Sequence, residues 1–414
     1  MDSQNKKKFD YSKVIIVLTI VMILTGLGFC SSNKSLYLKP ITEALGVTRS
    51  AFSVESSIRY IATAVLNVFF GALVMKFGTK KLILAGFGCL IGSTVINIFA
   101  DSLWHFYISG ALLGIGFSWT STTMAGCVIN RWCSEKKGTV MGFVLASNGL
   151  GGALAAQLVA PYIHEEGNPF GYRNAYKLVL CVIVAAAVVL AVFFKDKKDA
   201  AGVSKSSKTS EWEGITISEA KKKPYFYVTL ACIFLTGMML QGITGISSAH
   251  MEDIGLNYEY IAAIASMTSI IMMFSKIFTG FMYDKKGLRF AVTICNVAAV
   301  ICMLSLGIMD GGSFGKLMAV VYTVTSAVAL PLETVMLPNF AIDLMGQKSF
   351  DKALGLFVSL NTAGYALGTP LVNVVYDVFG TYKPILFILA GLMVIVSLAM
   401  QYVITAAHGE RKNS

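Results

Sequence analysis

Apolar residues in this 414-residue chain come in long runs, broken by short polar segments rich in lysine and arginine. About 20 apolar residues cross a bilayer core of about 30 Å as a helix. Twelve such runs can be cut, at roughly 14–37, 53–75, 82–100, 104–129, 138–162, 174–194, 225–249, 257–282, 289–309, 315–342, 353–376 and 382–406. The pattern predicts an all-α polytopic membrane protein with twelve transmembrane helices. The first run follows Lys6, Lys7 and Lys8, as a signal peptide would. It has no small-residue cleavage site and extends past about twenty residues, so it reads as a retained helix.

The longest polar stretch, 195–224, separates six runs from six. It predicts two six-helix bundles, 1–194 and 225–414, joined by a linker. The linker begins with the composition of a solvated segment. Trp212, Ile215 and Ile217 then bring in apolar residues ahead of a lysine triplet and Pro224, as in a short helix lying at the lipid headgroups. Basic residues fix the orientation. Segments on the side of the termini hold 25 lysines and arginines, and those on the other side hold six. By the positive-inside rule both termini are cytoplasmic.

Composition narrows the class. The chain is 55% apolar and 14% charged, against roughly 25% charged in soluble proteins. That excludes a soluble enzyme and a disordered chain. The net charge of +11 is spread between apolar runs rather than over one water-facing surface, so it points to topology and not to nucleic acid. Seven of the eight cysteines lie in apolar runs and none forms a C-x-x-C, which reads as packing. His105, His164, His250 and His408 fall at helix ends or in the tail and form no metal set. No cofactor motif and no phosphate-binding G-x-x-x-x-G-K-[ST] occurs. An embedded enzyme would need a nucleophile, acid–base or metal cluster, and no such motif appears. A membrane sensor, the alternative outside the carriers, would carry an output domain, for which the longest soluble stretch of about 30 residues leaves little room.

The two halves repeat each other. Gly71-Ala-Leu-Val-Met-Lys-Phe-Gly78 after the second run matches Gly280-Phe-Met-Tyr-Asp-Lys-Lys-Gly287 after the eighth, at an offset of 209. Gly142 through Asn148 to Gly151 matches Gly355 through Asn361 to Gly364 at an offset of 213. Parallel repeats around a central cleft are a transporter architecture.

At these residues the chain resembles the major facilitator superfamily, whose loop between helices two and three reads Gly-x-Leu-x-Asp-Arg-x-Gly-Arg-Lys. Gly71, Leu73, Gly78, Lys80 and Lys81 fit, but Met75 stands in place of the aspartate. The second copy keeps it as Asp284, with Gly280 and Gly287. The resemblance implies that these residues gate the inner face and that Asp284 latches it. Within the superfamily the chain resembles the monocarboxylate and oxalate:formate group, through Lys34-Ser-Leu-Tyr-Leu-Lys-Pro40, Asn130-Arg131-Trp132 to Met141-Gly142, Gly171-Tyr172-Arg173 and Gly368-Thr369-Pro370. It departs from the animal carriers in helix eight, where Lys276 and Met272 occupy the arginine and aspartate positions. It departs from the dicarboxylate exchangers in helix eleven, where Asn361 stands at the lysine position.

Charges inside apolar helices are the candidates for function. A mid-helix lysine costs about 2.5–3.5 kcal/mol on insertion scales. Lys276 lies eight residues before Asp284, about 12 Å from the helix end at 1.5 Å per residue, too deep for easy snorkelling. It is either an anion-binding cation in the cleft or the partner of a carboxylate on another helix. Lys34, near the end of the first run, either snorkels outward or binds anion. Arg59, four residues after Glu55, either pairs with it or makes a second anion contact. Glu333 sits between Pro331 and Pro338, which disturb the tenth helix. A carboxyl group withdrawn from water favours its neutral form, so Glu333 is a candidate for proton coupling; it could equally pair with Lys276 or cap a helix. Asn148, Asn361, Tyr365, Gln241 and Thr122 either line the cleft or bond helix to helix. Gly110, Gly114, Gly116, Gly149, Gly151 and Gly152 permit close helix contact.

The expectation is a monomeric carrier in a prokaryotic plasma membrane, without cofactor or metal. It would move a small organic anion, first a monocarboxylate, by alternating access with proton symport. Anion exchange is the alternative coupling, and another small solute the alternative substrate.

Overall fold

The structure, a computed structural model, describes residues 11–133, 137–196, 214–346 and 350–413. Lys6, Lys7, Lys8, Trp212 and most of the linker lie outside these residues. Regular structure among the described residues is helical throughout. The first half holds α1 (Tyr11–Leu45), α2 (Arg49–Phe77), α3 (Thr79–Ile98), α4 (Leu103–Ile129), α5 (Lys137–Ile163) and α6 (Gly171–Phe193). A single turn, α7 (Ile217–Ala220), precedes α8 (Pro224–Asp253), α9 (Tyr258–Ile308), α10 (Ser313–Thr334), α11 (Met336–Met345), α12 (Phe350–Phe379) and α13 (Lys383–Asn413). Ten helices among the described residues are long and apolar enough to cross a membrane. One of the ten, α9, has 51 residues, about 75 Å at 1.5 Å per residue, more than twice a bilayer core.

The helices are broken at points that matter later. α1 loosens into a π-helical stretch at Leu24–Phe29 and opens at Ser32 and Asn33, just before Lys34. α9 bends at Gly287, which takes φ 80° and ψ 175°. Gly78, its counterpart between α2 and α3, takes φ 81° and ψ 165°. A side chain rarely adopts this backbone, so the repeated glycine reflects one repeated corner. Of the two prolines near Glu333, only Pro331 breaks the chain. It starts the single turn Pro331–Thr334, which Val335 ends. Pro338 sits in the first turn of α11, where its missing N–H has no intrahelical partner to lose.

Within the first half α2 lies on α4, α3 on α4 and α6, and α5 on α1 and α6. Within the second, α8 lies on α12 and α13, and α9 on α10 and α13. Between helices in lipid the drive is packing and hydrogen bonding rather than the hydrophobic effect, and small residues set how near they come. A Cβ on Gly110 of α4 would stand 2.7 Å from the Glu55 carbonyl oxygen, and one on Gly114 would strike that of Arg59. The groove in α4 thus seats the stretch of α2 that carries Glu55 and Arg59.

The halves meet through α1 with α8, α2 with α12 and α5 with α9, and the meeting is lopsided. At the end remote from the termini, the Ser266 hydroxyl of α9 donates to the Ala153 carbonyl of α5 at 2.9 Å. One turn deeper, a Cβ on Gly149 would lie 2.5 Å from the Ser269 carbonyl oxygen. Toward the termini the same helices part. A Cβ built on Gly142 or Gly280, or on Gly71 or Gly355 of α2 and α12, meets no described atom within 4 Å.

The described end of the linker packs on protein, not on lipid as its apolar residues suggested. Ile215 N–H donates to the Met345 carbonyl at 3.1 Å, Thr216 and Glu219 close a capping box, and Ala220 is fully buried. Four helical residues are too few for an amphipathic face, and docking on the end of α11 satisfies a carbonyl that the helix leaves open.

Candidate functional site

A cavity of about 290 Å³ lies between the halves, walled mainly by α1, α2, α8, α9, α10 and α12. Three basic and two acidic side chains line it: Lys34, Arg59, Lys276, Glu55 and Glu333.

The break in α1 places Lys34. Asn33, whose side-chain amide donates a hydrogen bond to the Gly152 carbonyl at 2.8 Å, starts a new helical segment. Lys34 opens that segment eleven residues before Leu45, far from the helix end, and its ammonium pairs with Glu55 of α2. The snorkelling reading of Lys34 fails because the break turns its side chain inward. The expected Glu55–Arg59 pair fails with it, since Glu55 is already engaged. Arg59 instead donates from Nη1 to the Ser31 hydroxyl at 3.1 Å. Its guanidinium lies 4.4 Å from the centre of the Tyr60 ring, and its buried Nε has no partner.

Lys276 lines the cavity from α9 and has no ion pair or hydrogen bond among the described residues. The carboxylate partner considered for it, Glu333, is bonded elsewhere. Glu333 Oε2 accepts from the Tyr365 hydroxyl at 3.1 Å, while Oε1 is buried with no partner. The Tyr365 ring packs on Tyr60 at 5.3 Å between centroids. A continuous path therefore runs from Arg59 in one half through two tyrosines to Glu333 in the other.

The two asparagines do not reach the cavity. Asn361 points at α8, bonding the Ile233 carbonyl at 3.4 Å against Gly237. Asn148 stands behind the wall and accepts from Ser32 at 3.3 Å. Both act as helix-to-helix bonds, because each faces the neighbour its glycine-lined stretch packs against. Thr122 is likewise off the wall, whereas Gln241 and Tyr365 are on it. The gating residues gather at the open end. Asp284 is exposed without an ion pair among the described residues, and Met75 is exposed. The carboxylate that serves the first-half corner is Asp196, at the end of α6. It accepts from Thr79 N and Lys80 N, each at 3.2 Å, and from the Thr79 hydroxyl.

Sequence reasoning missed the seal at the remote end. Arg49 of α2 donates from Nη1 and Nη2 to the two carboxylate oxygens of Asp253 of α8, at 2.5 and 2.8 Å. It also donates to Tyr382 at 3.1 Å and lies 3.9 Å over the Tyr376 ring. Asp377 of α12 accepts from Arg49 N and Ser50 N at 3.1 and 3.0 Å, capping α2. Asn373 donates to Ser53 at 2.6 Å, and Ser35 meets Ser248 at 2.9 Å. Arg49 and Asp253 each fall at the edge of a polar segment, and only the fold shows that they face each other.

The family model of the Major Facilitator Superfamily matches residues 16–349. The chain belongs to that superfamily of membrane transporters and is not an enzyme. It is 26% identical to monocarboxylate transporter 13 of Rattus norvegicus, over 79% of this chain and 75% of that one. It is 20% identical to the sialic acid transporter NanX of Escherichia coli, over 83% of each. The crystal structure of the nucleoside transporter NupG superimposes with a TM-score of 0.78 over 95% of this chain and 99% of that one, at 12% identity. The shared fold with NupG at so low an identity speaks for architecture alone.

Proposed function

We propose that the chain is a secondary carrier of small organic anions, monocarboxylates first, working by alternating access with proton symport. The carrying observation is Lys276, a cation with no counter-ion among the described residues, in a cavity at the junction of two packed halves. An unpaired charge among apolar helices is costly, and an anion offsets that cost only when bound. Arg59 is the second contact, and Lys34 becomes a third if substrate displaces Glu55. Tyr365 bridges the contact set to Glu333, the proton site. Asn148 and Asn361 hold helices in this scheme and touch no substrate. The similarity to a monocarboxylate transporter supports the anion; the similarity to a sialic acid transporter supports a carboxylate on a larger frame.

In this reading the chain crosses twelve times, with α9 crossing twice around Gly287, α10 and α11 together making one crossing, and α12 and α13 completing the second bundle. The bundles are 1–194 and 225–414, both termini are cytoplasmic, and the membrane is a prokaryotic plasma membrane. The sealed end then faces outward and the open end inward. Gly71, Gly78, Gly280, Gly287 and Asp284 close the inner end in the opposite state. The protein acts as a monomer.

Proteoliposomes provide the test. Uptake of labelled lactate and acetate is measured with and without an inward proton gradient, for the native chain and Lys276→Ala. Gradient-stimulated uptake that falls at least tenfold in the variant is the expected result. Uptake that needs internal anion and ignores pH would replace symport by exchange. No anion uptake by correctly inserted protein would remove the carboxylate reading and leave the superfamily.

A further inference from the structure

One part of the cavity wall, on α8, α9 and α12, presents hydroxyl oxygens as acceptors. Thr244, Ser247, Thr268, Ser269 and Thr369 all line it. Each has already given its hydroxyl proton to a helix carbonyl. Thr244 donates to Leu240 O at 3.0 Å, Ser247 to Thr244 O at 3.2 Å and Thr268 to Ile264 O at 2.8 Å. Ser269 donates to Ala265 O at 3.0 Å and Thr369 to Gln241 O at 3.2 Å. A hydroxyl has one proton and two lone pairs, so what remains to each oxygen is acceptance. Glu333 adds Oε1, 6% exposed as a residue and without a partner. Whether it carries a proton or not, that oxygen is unmet, and a ligand hydroxyl serves it either way. The donors elsewhere on the lining include the cations Lys34, Arg59 and Lys276, the Gln241 amide and the Tyr60 hydroxyl.

A short alkyl acid fills such a site poorly. It satisfies the cations and leaves the acceptors dry, and a buried acceptor without a donor is costly. A dicarboxylate or keto acid brings further acceptors and offers this part of the wall no proton. We infer that the substrate is a carboxylate whose carbon chain bears several hydroxyl groups, in the chemical class of sugar acids. The carboxylate meets Lys276 and Arg59, and the hydroxyls donate to the serine and threonine oxygens and meet Glu333. The volume of about 290 Å³ accommodates a chain longer than that of lactate. This inference rests on the carboxylate reading above and narrows its substrate.

The test uses the full chain in lipid nanodiscs and three probes of one chain length: gluconate, hexanoate and adipate. Gluconate differs from hexanoate only in its hydroxyls, and adipate only in its second carboxylate. Binding is measured by calorimetry, with lactate as a fourth ligand. Gluconate should bind at least tenfold tighter than hexanoate or adipate. Thr268→Val and Thr369→Val should each weaken gluconate about fivefold, while hexanoate binding stays level and reports an intact fold. Equal or tighter binding of hexanoate, or a preference for adipate, would overturn the hydroxy-acid assignment and leave the anion carrier standing. Failure of all four ligands, lactate included, would overturn both.

Discussion

Lys34 and Lys276 are the same residue type in similar apolar surroundings, yet the fold treats them differently. Lys34 has Glu55 beside it, and Lys276 has no ion pair among the described residues. A single residue decides the first-half corner in the same way. Asp196 supplies the acceptor for two backbone N–H groups at the start of α3 while Gly78 makes the turn. Replacing a capping carboxylate by alanine costs about 1 kcal/mol. Asp196→Ala should therefore lower the unfolding temperature of the purified protein, read by tryptophan fluorescence, while Asp196→Asn, which still caps, should recover most of the loss. An Asp196→Ala protein as stable as the native chain would mean that water caps this helix. The sequence pointed to this corner through Gly78 but not to its carboxylate, because residue 196 is far along the chain and sits in a segment that reads as linker.

At the scale of the helix, apolar runs located the membrane segments, since a span needs about twenty such residues whatever its partners. They did not locate the breaks in α1 and α10, and the breaks set the site. Pro331 was readable as a disturbance; the opening at Ser32 and Asn33 has no proline or glycine to announce it. Which face of a helix sees the cavity was also hidden. A helix turns about 100° per residue, so Asn361 and Tyr365, one turn apart, looked equivalent, and only packing on α8 separated them. Glycine was the better guide. Gly149 lets α5 and α9 touch at the sealed end, with a Cβ there standing 2.5 Å from Ser269 O. Gly149→Leu should force those helices apart and disfavour this state. Cysteines placed near the sealed end, with the native ones removed, should react faster with a membrane-impermeant maleimide added outside. Unchanged labelling would show that the contact yields without opening the seal.

For the whole molecule, the asymmetry between a sealed and an open end is the main fact. Arg49–Asp253 is the most buried ion pair of the seal, flanked by Tyr376, Tyr382 and Asp377, and Lys39 of α1 pairs with Asp253 and Glu252 beside it. Removing one partner of a buried pair costs about 3–5 kcal/mol when it leaves a charge alone; here Asp253 keeps Lys39 at 3.4 Å, so the loss is smaller. Arg49→Ala should shift the population toward the state open at that end, measured as faster outside labelling of Ser248→Cys in a cysteine-free background. A companion Asp253→Ala should shift it the same way, and the double variant little further than either. Additive effects would mean that the two residues act separately.

The cavity wall holds three cations and two carboxylates, so with ordinary charges the empty site carries one net positive charge. An acid that enters as anion plus proton leaves that charge unchanged. Membrane voltage, which acts with about 2.3 kcal/mol per elementary charge per 100 mV, then pulls the loaded and the empty carrier toward the same side. The work cancels over a full cycle of symport, although each leg feels the field. Exchange of one monoanion for another crosses with a neutral site both ways, and neither leg feels it. In the proposed cycle the five charged side chains that line the cavity therefore decide which steps the membrane potential can drive.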